Sequence, residues 1–216
     1  MQSIQSNKEL RIKEMKRRII DISYRYKLSH LGSCLTALPI LDEIFEAKKV
    51  EEKAILSNGH AGLALYCVIE KYEGIDAEKI FNHHGVHPDR CAECHIDCSS
   101  GSLGNGLPIA VGMALADRKK NVYCLISDGE CAEGSIWEAL RIAREYKIRN
   151  LFLYINDNGY AAYKKTNTYP LPYSGGDYYR IGKVNWYRTN SEQLPFLKGQ
   201  DAHYYVMQEK DYKQAM

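Results

Sequence analysis

The feature that most constrains the fold is a pair of short apolar segments separated by an amphipathic helix. The apolar segments are NVYCLI (121–126) and NLFLYI (150–155), and SIWEALRIAREY (135–146) between them has helical periodicity. A strand, a helix and a second strand in this order predict neighbouring parallel strands in one sheet. We therefore expect an α/β fold, with a parallel sheet covered by helices on both faces. Ligands of such sheets bind beyond the carboxyl ends of the strands.

The rest of the chain continues this pattern of strands and helices. The predicted helices are a charged one over 8–27, TALPILDEIFEA (36–47), AGLALYCVIEKY (61–72), LPIAVGMALADRK (107–119) and a short one at the end of the chain. The further predicted strands are AILSNGH (54–60), which runs into a glycine turn, and KVNWYR (183–188). Residues 83–106 form a long loop rich in His, Cys and Gly. Loops of this length are uncommon unless they carry function.

Composition excludes several classes of protein. Lys plus Arg is 29 and Asp plus Glu is 27, so the net charge of +2 argues against nucleic acid as the main partner and against a polybasic membrane patch. The first residues lack the apolar stretch of a secretion signal, and no apolar run approaches the roughly 18 residues of a membrane span. We expect a cytoplasmic protein whose seven cysteines are reduced thiols.

Polar side chains follow both apolar segments, at the point where each predicted strand ends. Asp128 follows the first strand, and Asp157 and Asn158 follow the second. Because parallel strands end at the same edge of a sheet, we expect these side chains to leave that edge together. Carboxylate and amide oxygens suit Mg²⁺ or Ca²⁺, and Mg²⁺ favours sites completed by phosphate oxygens. Gly129 lets a bulky anion approach the backbone.

A glycine-rich segment, SSGSLGNGLPIA, begins at residue 99 and leads into a helix. Gly101, Gly104 and Gly106 precede that helix, where free N–H groups favour phosphate. The spacing is neither the dinucleotide G-x-G-x-x-G nor the G-x-x-x-x-G-K-[ST] loop. Combined with the oxygen donors, it indicates a metal-bound diphosphate. The alternative for the DGE sequence alone is a strand-end aspartate that caps the following helix.

Several segments resemble the N-terminal part of transketolases, which are thiamine-diphosphate enzymes. SDGECAEGSIWEALRIAREYKIRNLFLYINDNGY is similar to that family's G-D-G-E-x-x-E-G-x-x-W-E-A…N-L…D-x-N block, and SSGSLGNGLPIAVGMALA to its T-G-S-L-G-Q-G-L-x-x-A-V-G-M-A-L-A block. LSNGHAGLALY resembles its S-x-G-H segment, SHLGSCLTALPILDEIF its G-H-x-G segment, and VHPD its G-H-P-E. LPFLKGQDAHYYVMQEKDYKQAM looks like the stretch around a W-H-Y sequence. The matches follow the family's order over almost the whole chain.

The resemblance implies a role for each matched residue. It implies Mg²⁺ (or Ca²⁺) bound by Asp128, Asn158 and the backbone carbonyl of Tyr160. The implied contacts to thiamine diphosphate are His60, Gly101, Leu103, Asp128, Gly129, Asn158 and His203. The resemblance implies four catalytic histidines. His60 and His203 are expected to contact the cofactor or the reacting carbonyl, and His30 and His87 to bind substrate hydroxyls and move protons. Glu133 is implied at a subunit contact that couples the active sites.

The resemblance also implies a partner. Residues 1–216 correspond to one diphosphate-binding domain, whereas the pyrimidine-binding domain that supplies the family's catalytic glutamate has no counterpart here. We expect a chain that is inactive alone and that forms an α2β2 assembly with a pyrimidine-binding subunit. Two further departures are Ser127 in place of the first glycine of G-D-G and a shortened connector at 160–182.

The implied reaction is the transfer of a two-carbon ketol unit between ketose donors and aldehyde acceptors of the sugar type. Two alternatives stay open. One is another thiamine-diphosphate reaction, such as decarboxylation of a 2-oxo acid with acyl transfer. The other is a non-catalytic accessory subunit.

The segment CAECHIDC within the long loop has the spacing of metal ligands. Cys91, Cys94 and Cys98 predict a possible zinc site, and unligated loop thiols are the alternative, because structural zinc sites usually pair two such turns. Haem attachment at C-x-x-C-H requires export, for which the sequence shows no signal.

Overall fold

The computed structural model describes residues 2–166 and 182–216, which contain a parallel sheet of four strands. The strands are β1 (Lys53–Leu56), β2 (Val122–Ser127), β3 (Leu151–Asp157) and β4 (Lys183–Arg188). They pair in the order β1–β2–β3–β4, and every pair is parallel. The predicted α/β fold is confirmed.

The helices connect the strands and cover the sheet. They are α1 (Gln2–Arg25), α2 (Leu31–Ala47), α3 (Gly62–Glu73), α4 (Ala77–His84), α5 (Gly106–Ala116), α6 (Gly134–Glu145) and α7 (Glu209–Ala215). Short 3₁₀ turns occupy Gly59–Ala61, Gly129–Ala132 and Gly199–His203. None of the helices in the described part of the chain is long and apolar enough to cross a membrane.

Three helices differ from the sequence prediction. Helix α1 begins at Gln2, six residues before the predicted start at residue 8. Helix α2 begins at Leu31, five residues before the predicted start at Thr36. Gly32, which looks like a helix breaker, lies inside this helix. A Cβ there would be 3.1 Å from the carbonyl oxygen of Ser191, so close packing explains the glycine. Helix α4 was not predicted, although its cap is visible in the sequence: the Asp76 side chain accepts a hydrogen bond from the N–H of Lys79.

Each face of the sheet carries its own hydrophobic core, because successive strand side chains point to opposite faces. One core joins Leu56, Leu125 and Tyr154 to helices α1, α2 and α3. The other joins Cys124 and Leu153 to helices α5 and α6. Burial on both faces explains why the sequences of β2 and β3 are apolar runs and do not alternate.

The carboxyl ends of the strands define one edge of the sheet. Beyond β1 lies the turn Ser57–Ala61, beyond β2 the turn that starts at Asp128, and beyond β3 the segment from Asn158 onward. The connector predicted at 160–182 lies largely outside the described residues. The candidate functional residues lie at this edge and in the loop between α4 and α5.

Candidate functional site

Asp128 lies directly beyond β2 and is 5% exposed. Its Oδ2 accepts hydrogen bonds from the N–H of Gly159 at 2.9 Å and from the hydroxyl of Thr166 at 2.6 Å. Its Oδ1 is buried and has no hydrogen-bond partner among the described residues. Burial raises the pKa of Asp128 to about 6, while the bonds from Thr166 and Gly159 act in the opposite direction. A buried carboxylate oxygen without a partner is costly, and a cation is the natural group to satisfy it.

Beyond β3, two adjacent polar residues take different directions. Asp157 accepts a hydrogen bond from the indole Nε1–H of Trp186 at 2.9 Å and is part of the sheet packing. Asn158 instead lines a narrow cleft together with Tyr160 and His203. The Oδ1 of Asn158 accepts a bond from the N–H of Tyr160 at 3.0 Å. A carbonyl oxygen has a second lone pair, so this bond leaves Asn158 able to bind a cation.

The carboxylate of Asp128 and the amide oxygen of Asn158 are therefore donors of the type that a hard divalent cation prefers, and Tyr160 lies in the same turn as Asn158. The N–H of Gly159 joins this turn directly to Asp128, which brings the two strand ends together. The unpartnered Oδ1 of Asp128 is the observation that favours a metal over a helix cap. The short 3₁₀ turn that follows Asp128 receives no side-chain cap from it, so the capping alternative is not supported.

The glycine loop (residues 99–106) approaches the same edge from the side of α5. Gly101 has φ +146, and a Cβ there would lie 3.1 Å from Cδ2 of His87. Gly104 has φ +83, a conformation that favours glycine, and its N–H points inward. Leu103 between them is half-buried. Gly129 lies opposite Ala161, and a Cβ added at Gly129 would be 3.3 Å from the Cβ of Ala161.

Glu130 is a site residue that the sequence reasoning did not single out. It is fully buried and accepts hydrogen bonds from the Ser57 hydroxyl at 2.5 Å, the Gly104 N–H at 2.9 Å and the Ser127 N–H at 2.9 Å. Burial raises the pKa of Glu130, and the hydrogen bonds act in the opposite direction. The only signal in the sequence is its place in the DGE segment. Glu130 holds the glycine loop against the ends of β1 and β2.

Three of the predicted histidines form a cluster. The ring centroids are 4.4 Å apart for His30 and His203, 5.2 Å for His30 and His60, and 5.4 Å for His60 and His203. The N–H of His30 donates to the carbonyl oxygen of His203 at 3.0 Å, which holds His30 in a left-handed conformation with φ 62. This conformation is uncommon for a residue other than glycine and marks a constrained position.

His87 joins this cluster from the long loop. Burial is the largest cause that lowers the pKa of His30 and His60, and the charge of His87 lowers both further. The His87 ring also lies against Gly101. The pKa falls to about 4 for His30 and to about 3 for His60, and burial also lowers the pKa of His203. The structure thus brings three of the predicted histidines into contact, with His87 near them, and burial favours the neutral form of His30, His60 and His203.

Glu133 is half-buried at the start of α6, beside the glycine loop. A Cβ at Gly104 would lie 2.7 Å from the Cβ of Glu133. Its role in coupling subunits stays a prediction.

The three-cysteine zinc site is wrong as predicted. Cys98 is buried in the core on the α5 and α6 face, and its thiol donates to the carbonyl oxygen of Ser99 at 3.1 Å. Cys91 and Cys94 pack against the other core. Spacing in a sequence does not show toward which side of a sheet a side chain turns.

A cavity of about 530 Å³ lies elsewhere, between the amino ends of β1 and β2 and the loop that contains Cys91. Glu52, Lys53 and Val122 line it. Because it is at the opposite edge from Asp128 and the histidines, it is not part of the candidate site.

A parallel sheet with oxygen donors, a glycine loop and histidines at one edge defines a diphosphate-binding module. Residues 78–208 match the family model described as thiamine pyrophosphate enzyme, C-terminal TPP binding domain. The match covers more than half of the chain, which therefore belongs to the thiamine pyrophosphate enzymes.

Curated relatives make the family more specific. The chain is 30% identical over 171 residues to one of the subunits of the apulose-4-phosphate transketolase of Phocaeicola vulgatus. The aligned residues cover 69% of this chain and 60% of the relative. It is 33% identical over 150 residues to the transketolase of Homo sapiens, which covers 60% of this chain and 24% of the relative. The chain thus matches less than two thirds of the length of these relatives. The resemblance to transketolases is confirmed.

Solved structures agree on the fold. The transketolase from Leishmania mexicana superposes with a TM-score of 0.77 at 16% identity, over 96% of this chain and 40% of that chain. A Pichia stipitis transketolase in complex with sedoheptulose-7-phosphate gives a TM-score of 0.75 at 17% identity, with the same coverage of 96% and 40%. At this identity the likeness shows the fold alone.

Proposed function

We propose that this chain is the diphosphate-binding subunit of a transketolase-like enzyme. The reaction is the transfer of a two-carbon ketol unit from a ketose of the sugar type to an aldehyde acceptor. The observation that carries the proposal is the clustering of His30, His60 and His203 at the edge where Asp128 keeps a buried oxygen without a partner among the described residues. His203 and Asn158 line the same cleft, which joins the histidine cluster to the proposed metal ligands.

The metal ligands in this proposal are Asp128, Asn158 and the carbonyl oxygen of Tyr160, and Mg²⁺ is the expected cation, with Ca²⁺ as a substitute. The diphosphate lies against the backbone of Gly129 and of the glycine loop at Gly101 and Leu103. Thiamine diphosphate, when bound, supplies a nucleophilic carbon and a ring that accepts the electron pair.

The histidines bind the substrate and move its protons. His60 and His203 contact the cofactor or the reacting carbonyl group, and His30 and His87 bind substrate hydroxyls. A neutral imidazole donates a hydrogen bond from one nitrogen and accepts at the other. Because burial lowers the pKa of His30, His60 and His203, these rings are available in that neutral form near pH 7. Several neutral imidazoles in one cluster suit a polyhydroxylated substrate better than a 2-oxo acid.

A second polypeptide completes the site in this proposal. The relative from Phocaeicola vulgatus is named as one subunit of a transketolase, and this chain covers 60% of its length. We propose that a pyrimidine-binding subunit supplies the glutamate that activates the aminopyrimidine, in a cytoplasmic α2β2 assembly with Glu133 at a subunit contact. This chain is then inactive alone.

The test is a calorimetric titration of thiamine diphosphate with Mg²⁺ into this chain, alone and with its candidate partner co-expressed. We expect tight binding only when the partner is present. We expect Asp128→Asn to abolish the Mg²⁺-dependent part of binding, since it removes the charge that faces the cation. Asp157→Asn is the matched control, because Asp157 is a neighbouring buried carboxylate whose Oδ2 already accepts a hydrogen bond from Trp186, whereas the Oδ1 of Asp128 has no partner among the described residues. Unchanged affinity in Asp128→Asn would contradict the metal assignment.

A ketol-transfer assay of the same preparations separates the alternatives. Transfer from a ketose phosphate to an aldehyde acceptor supports the proposal. Binding without transfer, or turnover of a 2-oxo acid, would contradict it.

A further inference from the structure

A second group of potential metal ligands lies outside the cofactor site, at the end of α4. One ligand atom from each of His83, His84 and Cys91 lies within 4.8 Å of the other two. The rings of His83 and His84 are perpendicular, with centroids 4.5 Å apart. Tetrahedral Zn²⁺ with bonds of about 2.0–2.3 Å places its ligand atoms roughly 3.3–3.8 Å apart. Side-chain shifts of about 1 Å would therefore be enough to enclose an ion.

Cys94 lies beside this group through the geometry of the cysteine turn (Cys91–Ile96). The turn is closed by hydrogen bonds from the N–H of Cys91 to the oxygen of Ile96 at 3.0 Å and from the N–H of Ile96 to the oxygen of Cys91 at 2.9 Å. The N–H of Cys94 donates to the Sγ of Cys91 at 3.2 Å, which places Cys94 next to a ligand atom of the group. The cysteine turn therefore places the second cysteine of a C-x-x-C pair, a common spacing of zinc ligands, beside Cys91.

His84 gives an independent indication of a missing ligand. Its Nε2 is buried and has no hydrogen-bond partner among the described residues. Buried polar nitrogens are nearly always satisfied, and an ion or an ordered water is the usual partner where the protein supplies none. The nearby His83 and Cys91 favour an ion here. The thiol of Cys91 at present donates to the carboxylate of Glu93 at 3.4 Å, a long contact that a metal bond can replace.

We propose that His83, His84, Cys91 and Cys94 bind one Zn²⁺ ion. Two imidazoles and two thiolates in a tetrahedral arrangement are a typical zinc set, and four protein ligands make the site structural, not catalytic. Zn²⁺ binding releases the proton of each thiol to solvent. The ligand set differs from the three cysteines suggested by spacing, because α4 supplies two histidines and Cys98 is turned away.

The position of the site gives it a role. The ion would close the segment between His84 and Cys91, which carries His87 toward Gly101. The zinc site then fixes the backbone on both sides of a histidine of the candidate active site without contacting substrate.

The test is the metal content of the full chain, purified under reducing conditions and dialysed against a weak chelator. We expect one zinc per chain by mass spectrometry of the metal. We expect Co²⁺ added to the stripped chain to give the visible absorption of a tetrahedral site and a thiolate charge-transfer band. The cobalt spectrum uses the unaltered chain and so does not depend on whether a variant folds.

Variants identify the ligands. Cys91→Ser and His84→Gln should each lower zinc affinity by at least tenfold. His95→Gln is the matched control: His95 follows Cys94 directly, but its Nδ1 faces Glu73 at 3.3 Å and it lies outside the ligand group. Absence of zinc from the unaltered chain, full retention in Cys91→Ser, or equal loss in His95→Gln would each overturn the proposal. Because metal content requires no thiamine diphosphate, these results stand apart from the proposed function.

Discussion

The carboxylate of Glu130 lies between the end of β1, the glycine loop and the end of β2, where it accepts hydrogen bonds from three segments. Ser57, Gly104 and Ser127 each donate to it, and the Ser57 hydroxyl in turn accepts from the N–H of Gly106 at 3.1 Å. Only an acceptor with two oxygens can satisfy three donors from three segments. This residue shapes the candidate diphosphate site without itself being predicted to contact a ligand.

Glu130→Gln should lower the free energy of unfolding by about 1–3 kcal/mol, because an amide N–H₂ would face at least one donor in a buried place. Urea unfolding of the two proteins measures the difference. Glu138→Gln is the control, since the Glu138 side chain is 67% exposed and pairs with Arg141 at 3.6 Å in α6. We expect that variant to change stability by less than about 0.5 kcal/mol. Equal effects of the two substitutions would refute the role of Glu130.

The glycine loop and helix α5 place two glycines in opposite situations. Gly104 has φ +83, and an added Cβ would lie 2.5 Å from the Oγ of Ser135 and 2.7 Å from the Cβ of Glu133. Gly112 lies inside α5, where an added Cβ meets nothing within 4 Å. The loop therefore depends on glycine at one position, and the helix only tolerates it at the other.

Gly104→Ala should destabilise the chain by about 1–3 kcal/mol, through both the strained φ and the contact with Glu133. Gly112→Ala should instead stabilise it by about 0.5–1 kcal/mol, because alanine has the higher helix propensity. Thermal and urea unfolding give both signs in one series. Two changes of the same sign would show that the loop conformation described for Gly104 is not what makes glycine necessary there.

At this level the sequence predicts some elements much better than others. Strands β2 and β3 and the position of Asp128 follow from apolar runs that end in polar turns. Helix α4 has only eight residues, which is shorter than the roughly ten to twelve over which helical periodicity can be recognised. The start of α2 cannot be recognised because Gly32 looks like a helix breaker. Glycine is favoured there by the close approach of Ser191, a residue far away in the sequence. Tertiary packing also determines which core Cys98 faces and which donors surround Glu130, so neither could be predicted from the sequence.

The whole chain is required to form the histidine cluster, because its members come from the starts of α2 and α3, the long loop and the turn before α7. The sequence order of these segments matches the transketolase pattern, but the 4.4 Å spacing of His30 and His203 depends on how the final segment folds back over α2. Gathering imidazoles in a half-buried cleft opposes their protonation, which lowers the pKa of His30 and His60.

The stability of the folded chain should consequently fall as the pH drops below about 6.5. In the unfolded chain a histidine has a pKa of about 6.5, whereas the folded values are about 4 for His30 and about 3 for His60. Between these limits the unfolded state binds more protons, so protonation favours unfolding by about 1–2 kcal/mol per histidine from pH 6.5 to pH 5. Asp128, with its pKa raised to about 6, acts in the opposite direction as the pH falls from about 6 toward its ordinary range.

Comparing variants separates these opposing effects. Urea unfolding of the unaltered chain and of His60→Gln, measured from pH 7.5 to pH 5, gives two stability profiles that share the contribution of Asp128. The profile of His60→Gln should decline less toward pH 5, because one protonation step that favours unfolding has been removed. Parallel profiles for the unaltered chain and His60→Gln would mean that His60 is not held neutral by the fold, and the proposed use of neutral imidazoles near the reacting carbonyl would lose its physical basis.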